Sequence, residues 1–73
     1  MRELKMVFKM VDKDFCDILC ETRDNSEGWE KQGIIPTCGT IKECMQNQIE
    51  THTRFGWALD SVSDDTLIFQ KKF

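Results

Sequence analysis

The sequence predicts a small α+β domain, in which an antiparallel sheet packs on one main helix over residues 40–54. Three patterns predict this class. Apolar residues alternate along residues 4–11, which is the period of a half-buried strand. A capped amphipathic helix begins near residue 40. Two further alternating segments follow the helix and predict a C-terminal hairpin, which would share the sheet with the N-terminal strand.

The composition is that of a folded domain. Of the 73 residues, 40% are hydrophobic and 32% are charged, which is ordinary for a globular protein. We expect one domain over residues 1–73. No apolar run approaches the ~20 residues of a membrane-spanning helix. Charged residues interrupt the segment from Met1 to Met10, so we expect a cytoplasmic protein without a signal peptide.

The first predicted strand has an apolar face and a lysine-bearing face. Its apolar face would carry Leu4, Met6, Phe8 and Met10. Lys5 and Lys9 alternate with these residues and would lie on the other face. A half-buried strand is therefore expected at the start of the chain.

Residues 14–24 fit two structures. As a helix, their apolar side chains would form one stripe behind an aspartate-rich start that suits the helix dipole. As a strand, Cys16, Ile18 and Cys20 would share one face, and a turn at Asp12-Lys13 would lead back to the first strand. We favour a second, short helix over residues 14–24.

A polar loop and a short strand are expected next. Residues 23–28 are rich in turn formers, and residues 29–35 would form the strand. Gly33 weakens this strand, and Pro36 is expected to end it.

The main helix has a readable start and stop. Thr40 and Glu43 have the spacing of a capping box, in which each side chain bonds to the backbone of the other residue. Gly56 is a natural stop. Between them, one continuous stripe is formed by Ile41, Cys44, Met45, Gln48, Ile49 and His52.

The C-terminal hairpin is expected to turn through Ser63, Asp64 and Asp65. With this three-residue loop, Leu59 would lie opposite Phe69, and Ser61 would lie opposite Leu67. The apolar side chains then gather on one face. The predicted core is Met6, Phe8, Ile41, Met45, Ile49, Trp57, Leu59, Leu67 and Phe69.

The order of these elements resembles a family of very small bacterial and phage domains of unknown function. The resemblance rests on the strand at 4–11, the helix at 40–54, the Gly-Trp-x-Leu strand that begins at Gly56, and the aromatic-lysine last strand that holds Phe69-Gln70-Lys71. It covers about half of the chain, and residues 12–39 depart from it as a long insertion. It implies a fold and carries over no function.

The cysteines favour no metal, cofactor or catalytic site. Cys16, Cys20, Cys38 and Cys44 are separated by longer gaps than the C-x2-C knuckles of zinc sites, so we expect free thiols. Cys38 precedes a helix start, which can activate a thiol. Its only imidazole partner, His52, would lie roughly 20 Å away along the same helix, where we expect it to pack or cap. No enzyme is therefore predicted, and a zinc-stabilised or thiol-redox domain is an alternative.

The charge is distributed unevenly along the chain. The net charge is −3, but residues 12–30 hold seven acidic residues and two basic ones, a local charge of −5. The acidic residues are Asp12, Asp14, Asp17, Glu21, Asp24, Glu27 and Glu30. We therefore expect a non-enzymatic protein-binding module, a regulator or inhibitor whose acids meet a basic surface on another protein.

Other partners fit the sequence less well. Lys5, Lys9 and Lys72 could share one sheet face and bind nucleic acid weakly, but a sequence pI of about 5.0 disfavours that alternative. A homodimer through a sheet edge is a further alternative, and no membrane partner is expected.

Overall fold

The computed structural model describes residues 1–72, which form one antiparallel sheet and one helix. The elements are β1 (Arg2–Met10), β2 (Phe15–Asp24), β3 (Glu30–Cys38), α1 (Ile41–Arg54), β4 (Ala58–Val62) and β5 (Thr66–Lys71). The strand order is β3-β2-β1-β5-β4, and each neighbouring pair is antiparallel. The α+β class is confirmed, with five strands in the sheet instead of the predicted three. None of the described residues belongs to a helix long and apolar enough to cross a membrane.

The predicted second helix over residues 14–24 is wrong, because this segment is strand β2. It pairs with β1 along the whole length of β1. In this pairing the side chains of Cys16, Ile18 and Cys20 are buried on the helix side of the sheet. A helix would lose both the backbone ladder with β1 and this burial. Tertiary pairing therefore overrides the local helical pattern.

The short strand predicted for residues 29–35 is confirmed as β3, but it does not end at Pro36. β3 continues through Pro36 to Cys38. Proline lacks the N–H that a central strand needs, and it is tolerated here because β3 is an edge strand. A bulge between Cys20 and Glu21 shifts the register of β2 against β3.

Helix α1 begins at the predicted cap. The Glu43 amide donates to the Thr40 hydroxyl at 3.2 Å, and the Thr40 amide donates to the Glu43 carboxylate at 3.3 Å. The capping box is thus confirmed. After Arg54, Gly56 adopts a φ of 90°, which a side chain would strain, and this turn leads the chain into β4.

The C-terminal hairpin has the predicted loop and one change of register. The loop lies at residues 63–65, and Leu59 lies opposite Phe69 as predicted. The predicted pairing of Ser61 with Leu67 is wrong. A bulge makes Asp60 an extra residue in β4, so that Val62 lies opposite Leu67.

The core lies between α1 and one face of the sheet. Of the predicted core, Met6, Phe8, Met45, Leu67 and Phe69 are buried, and Ile41, Ile49 and Trp57 are partly buried against them. The prediction is wrong for Leu59, which is 37% exposed on the edge strand β4. The prediction missed Leu4, Cys16, Ile18, Cys20 and Cys44, which are also buried. Three of these five lie in β2, the segment that was predicted to be a helix.

Candidate protein-binding surface

The face of the sheet that α1 leaves uncovered carries a strip of apolar side chains. Val7 on β1 lies opposite Leu19 on β2, and Leu19 lies opposite Ile34 on β3. Residues directly opposite each other in a sheet share a face. Lys5 and Val7 are two residues apart on β1, so their side chains point to the same face. Ile68 on β5 lies opposite Lys5 and therefore joins the strip beside Val7. We call Val7, Leu19, Ile34 and Ile68 the outer strip.

The outer strip is partly exposed to solvent. Ile34 is 60% exposed, whereas Val7, Leu19 and Ile68 are half-buried by their neighbours. Phe15 lies on the same face of β2, two residues from Asp17, and is 49% exposed. An antiparallel sheet with one solvated face ordinarily carries polar residues there. A run of apolar residues across four adjacent strands therefore makes this face the candidate binding surface.

Trp29 lies at one end of the outer strip, against Lys5 and Arg23. Its ring lies 4.6 Å from the Lys5 ammonium and 4.3 Å from the Arg23 guanidinium. Each cation also meets a carboxylate, with Lys5 at 3.6 Å from Glu21 and Arg23 at 3.0 Å from Glu3. Cation–π contacts and ion pairs of this kind hold an aromatic ring in place on a surface. The strip is thus bordered by an ordered aromatic and charged network.

The seven predicted acidic contact residues do not form one acidic patch. Asp12 and Asp14 lie in the β1–β2 turn, Asp17, Glu21 and Asp24 lie on β2, Glu27 lies in the β2–β3 loop, and Glu30 begins β3. At about 3.3 Å per strand residue, the two ends of this set are about 33 Å apart. The structure brings together two smaller groups, one at each end of β2.

Basic residues of β1 lie beside the acids of β2. Glu21 faces Lys5, and Asp17 lies opposite Lys9 in the register. The acidic charge of β2 is therefore largely balanced across the strand pair. The same contacts lower the positive potential of the face that was considered for nucleic acid, since Lys5 and Lys9 both lie next to carboxylates.

Asp24 is held by Arg2 at the end of the β1–β2 pair. The Arg2 guanidinium donates to the Asp24 carboxylate at 3.0 Å. This hydrogen bond and the positive charges of Arg2 and the N-terminus keep the pKa of Asp24 below its ordinary value, although burial acts in the opposite direction. A polar cavity of about 220 Å³ lies beside the pair and is lined by charges of both signs. Mixed charge of this kind favours neither a cation nor an anion.

In the acidic turn, the side chain of Asp12 organises the backbone. Its Oδ1 accepts hydrogen bonds from the amides of Asp14 at 2.8 Å and Phe15 at 3.1 Å. Such bonds fix a tight turn and take up acceptor capacity of the carboxylate. Of the other acids at this end, Asp14 is exposed in the turn, and Asp17 lies on the outer face of β2 opposite Lys9.

The four cysteine thiols differ in their exposure. Cys16, Cys20 and Cys44 are buried, Cys38 is exposed, and all four are free thiols. Burial, reinforced by the neighbouring Cys44 thiol, raises the pKa of Cys16, and burial also raises the pKa of Cys20. Within residues 1–72, no group of three or more histidine, cysteine or acidic side chains is arranged to hold a metal ion.

His52 packs at the far end of the helix from Cys38. Its ring stacks on Phe69 with centroids 5.0 Å apart, and its Nδ1 lies 2.9 Å from the Gln48 carbonyl oxygen. Cys38 precedes the first turn of α1, and His52 lies in the last turn. The predicted packing role of His52 is confirmed, and this separation leaves no Cys-His pair.

Comparisons with known proteins gave no relative: no family model, no curated protein and no solved structure matches this chain. The resemblance to small bacterial and phage domains stays a prediction. Function is therefore inferred from the chain's own surfaces.

The outer strip was not predicted from the sequence, although a signal for it is present. Apolar residues adjoin along the strands as Met6-Val7-Phe8, Ile18-Leu19, Ile34-Ile35 and Leu67-Ile68-Phe69. Adjacent apolar residues in a strand point to opposite faces, and runs of this kind are typical of strands covered on both faces. Only the strand register shows that their outward members lie side by side.

Proposed function

We propose that this chain is a non-enzymatic protein-binding module that docks another protein on the outer strip. The observation that carries the proposal is the row Val7, Leu19 and Ile34, with Ile68 beside it, on a sheet face that no other element within residues 1–72 covers. An apolar centre with a polar and charged rim is the usual anatomy of a protein interface. The strip has such a rim in the Trp29 network and in the acids near the β1–β2 turn.

The acidic residues act at the rim of this contact. Asp17 lies on the face of the outer strip, two residues from Leu19, and Asp14 lies in the turn that precedes β2, where both would meet basic groups of the partner. Rim charges influence the rate and specificity of association more than the affinity, because water and salt screen them. A module of this kind regulates or inhibits its partner by occupying a surface on it.

The proposal is tested by capture from cells of the source organism with matched variants of the immobilised chain. The strip variant carries Leu19→Thr and Ile34→Thr, and the rim variant carries Asp14→Asn and Asp17→Asn. The control carries Asn47→Ala and Thr51→Ala on the exposed face of α1. We expect one protein to be retained at physiological salt by the wild type and the control, lost from the strip variant and bound more slowly by the rim variant.

Two results would contradict the proposal. A partner that the strip variant retains as well as the wild type docks elsewhere on the chain. Recovery of no protein above the level of a blank matrix removes the protein-binding function. Circular dichroism of each variant establishes that the substitutions leave the fold intact.

A further inference from the structure

A second candidate surface lies at the edge of the sheet formed by β4, between that strand and α1. There a groove of about 450 Å³ runs along the side of the helix. Its apolar wall is formed by Ile41, Met45 and Ile49 of α1 and by Val62 of β4. We call this the edge groove. It lies on the helix side of the sheet and shares no residue with the outer strip.

The bulge in β4 places the side chains of Leu59 and Val62 on the face of the sheet that holds the edge groove. Leu59 and Val62 are three residues apart, and in a regular strand they would point to opposite faces. The extra residue Asp60 brings both to the face of their partners Phe69 and Leu67. Those partners are fully buried, whereas Leu59 is 37% and Val62 is 57% exposed. The apolar surface of the sheet thus continues past the core to an open edge.

The backbone of β4 offers a second kind of contact beside this groove. β4 is the last strand of the sheet, so one side of its backbone has no neighbouring strand within the described residues. The other edge strand, β3, contains Pro36, which removes a backbone donor. β4 contains no proline over Ala58–Val62. An open strand edge next to an apolar groove is the arrangement by which peptides add to a sheet as an extra strand.

The charge around β4 distinguishes between a second copy of this chain and a different protein. Asp60 lies within β4, and Asp64 and Asp65 lie in the loop that follows. Lys42 of α1 also lines the groove, so the three acids outnumber one basic residue there. Two copies paired antiparallel about the centre of β4 would bring Asp60 opposite Asp60 of the second copy, and like charges opposite each other destabilise a strand pair. A strand that carries lysine or arginine would instead be attracted. The acidic edge therefore disfavours the homodimer.

We propose that the edge groove binds an extended segment of another protein, in which apolar side chains alternate with Lys or Arg. The segment adds to β4 as a sixth strand. Its apolar side chains fill the groove against Met45 and Val62, and its basic side chains lie near Asp60 and Asp64. Because β4 offers only five residues for backbone pairing, the groove contacts supply much of the affinity.

The proposal is tested with a displayed library of random short peptides selected against the whole chain. Enriched peptides are expected to alternate apolar residues with Lys or Arg. Bound peptide is expected to shift the amide resonances of Ala58–Val62 and of the first turns of α1. A copy of the best peptide, N-methylated at alternate residues, is expected to lose binding because the methyl groups block the strand ladder.

A matched pair of variants separates this site from the outer strip. Val62 and Ile34 are similarly exposed, at 57% and 60%. Val62→Lys should weaken peptide binding by roughly tenfold or more, since it removes an apolar contact and repels a basic segment. Ile34→Lys should leave peptide binding unchanged while it removes a partner from the outer strip. Failure of either proposal is thereby distinguished from failure of the other.

Three outcomes overturn the assignment of this groove. The first is a selection that enriches no peptides, or only peptides without basic residues. The second is undiminished binding of the N-methylated peptide. The third is a dimer in sedimentation experiments that Val62→Lys dissociates, which would make a second copy of the chain the occupant.

Discussion

Leu19 and Ile34 lie opposite each other on β2 and β3, on the sheet face that α1 leaves uncovered. The next pair in the register, Ile18 and Ile35, lies on the covered face. The same two strands thus carry an apolar pair on each face of the sheet, but only Ile18 is fully buried, since Ile35 on the edge strand is 44% exposed. Ile18 therefore belongs to the core, whereas Leu19 and Ile34 belong to the outer strip.

Substitution of the buried Ile18 and substitution of the exposed Ile34 should therefore change the free energy of unfolding by very different amounts. Ile18→Thr puts a hydroxyl at a fully buried site and should lower the free energy of unfolding by about 2–4 kcal/mol. Ile34→Thr at its 60% exposed site should change it by less than about 0.5 kcal/mol. Urea denaturation measures both. Equal losses would contradict the exposure of the outer strip.

The contribution of the capping box to the free energy of unfolding should also be measurable by urea denaturation. Thr40→Ala removes the hydroxyl that accepts from the Glu43 amide, and it should cost about 1 kcal/mol. Thr51→Ala is the control, because the Thr51 hydroxyl only bonds back to the Asn47 carbonyl one turn earlier. We expect that control to be neutral or slightly stabilising, since alanine favours helix.

The stacked pair of His52 and Phe69 should contribute to the attachment of the helix end to the sheet. His52→Ala removes a ring that lies 5.0 Å from a fully buried aromatic ring, and about 1–2 kcal/mol of stability should be lost. His52→Phe keeps the stack and should recover most of the loss. If His52→Phe lowers the stability as much as His52→Ala, the hydrogen bond to the Gln48 carbonyl contributes more than the stacking on Phe69.

The Arg2–Asp24 pair should make stability depend on pH in the acid range. The pKa of Asp24 is lower in the folded chain than its ordinary value of 3.8. The pair therefore stabilises the fold fully above that value, and this contribution is lost as the pH falls through the lower, folded pKa. Asp24→Asn should flatten the dependence in this window. High salt should shrink the difference between the two proteins, because the pair is exposed.

The thiols should react in an order set by exposure. A short treatment with iodoacetamide at about pH 8 should modify Cys38 alone, because it is the exposed cysteine. Cys16 and Cys20 should react only under denaturing conditions, since they are buried and their raised pKa values keep them protonated. Peptide mapping by mass spectrometry identifies the adducts. Adducts on Cys16 in the native chain would indicate an opening of the core.

Local sequence patterns were sufficient to predict those parts of the structure that depend on residues close together in the chain. Thr40 and Glu43 satisfy each other within one helical turn, so their spacing alone fixed the start of α1. The loop at 63–65 follows from the residues between two alternating segments. Residues 14–24 were different, because their pattern fits both a helix and a strand, the helix was favoured, and only pairing with β1 selects the strand.

The sequence by itself determined the class of the fold, the start and end of its one helix, and much of its core. Tertiary structure decided which apolar side chains are left outside. The outward alignment of Val7, Leu19 and Ile34 depends on the registers of three strands. The turn of Val62 toward the edge groove depends on a bulge against β5. Both candidate surfaces are products of strand register, which is a relation between distant segments that no local pattern encodes.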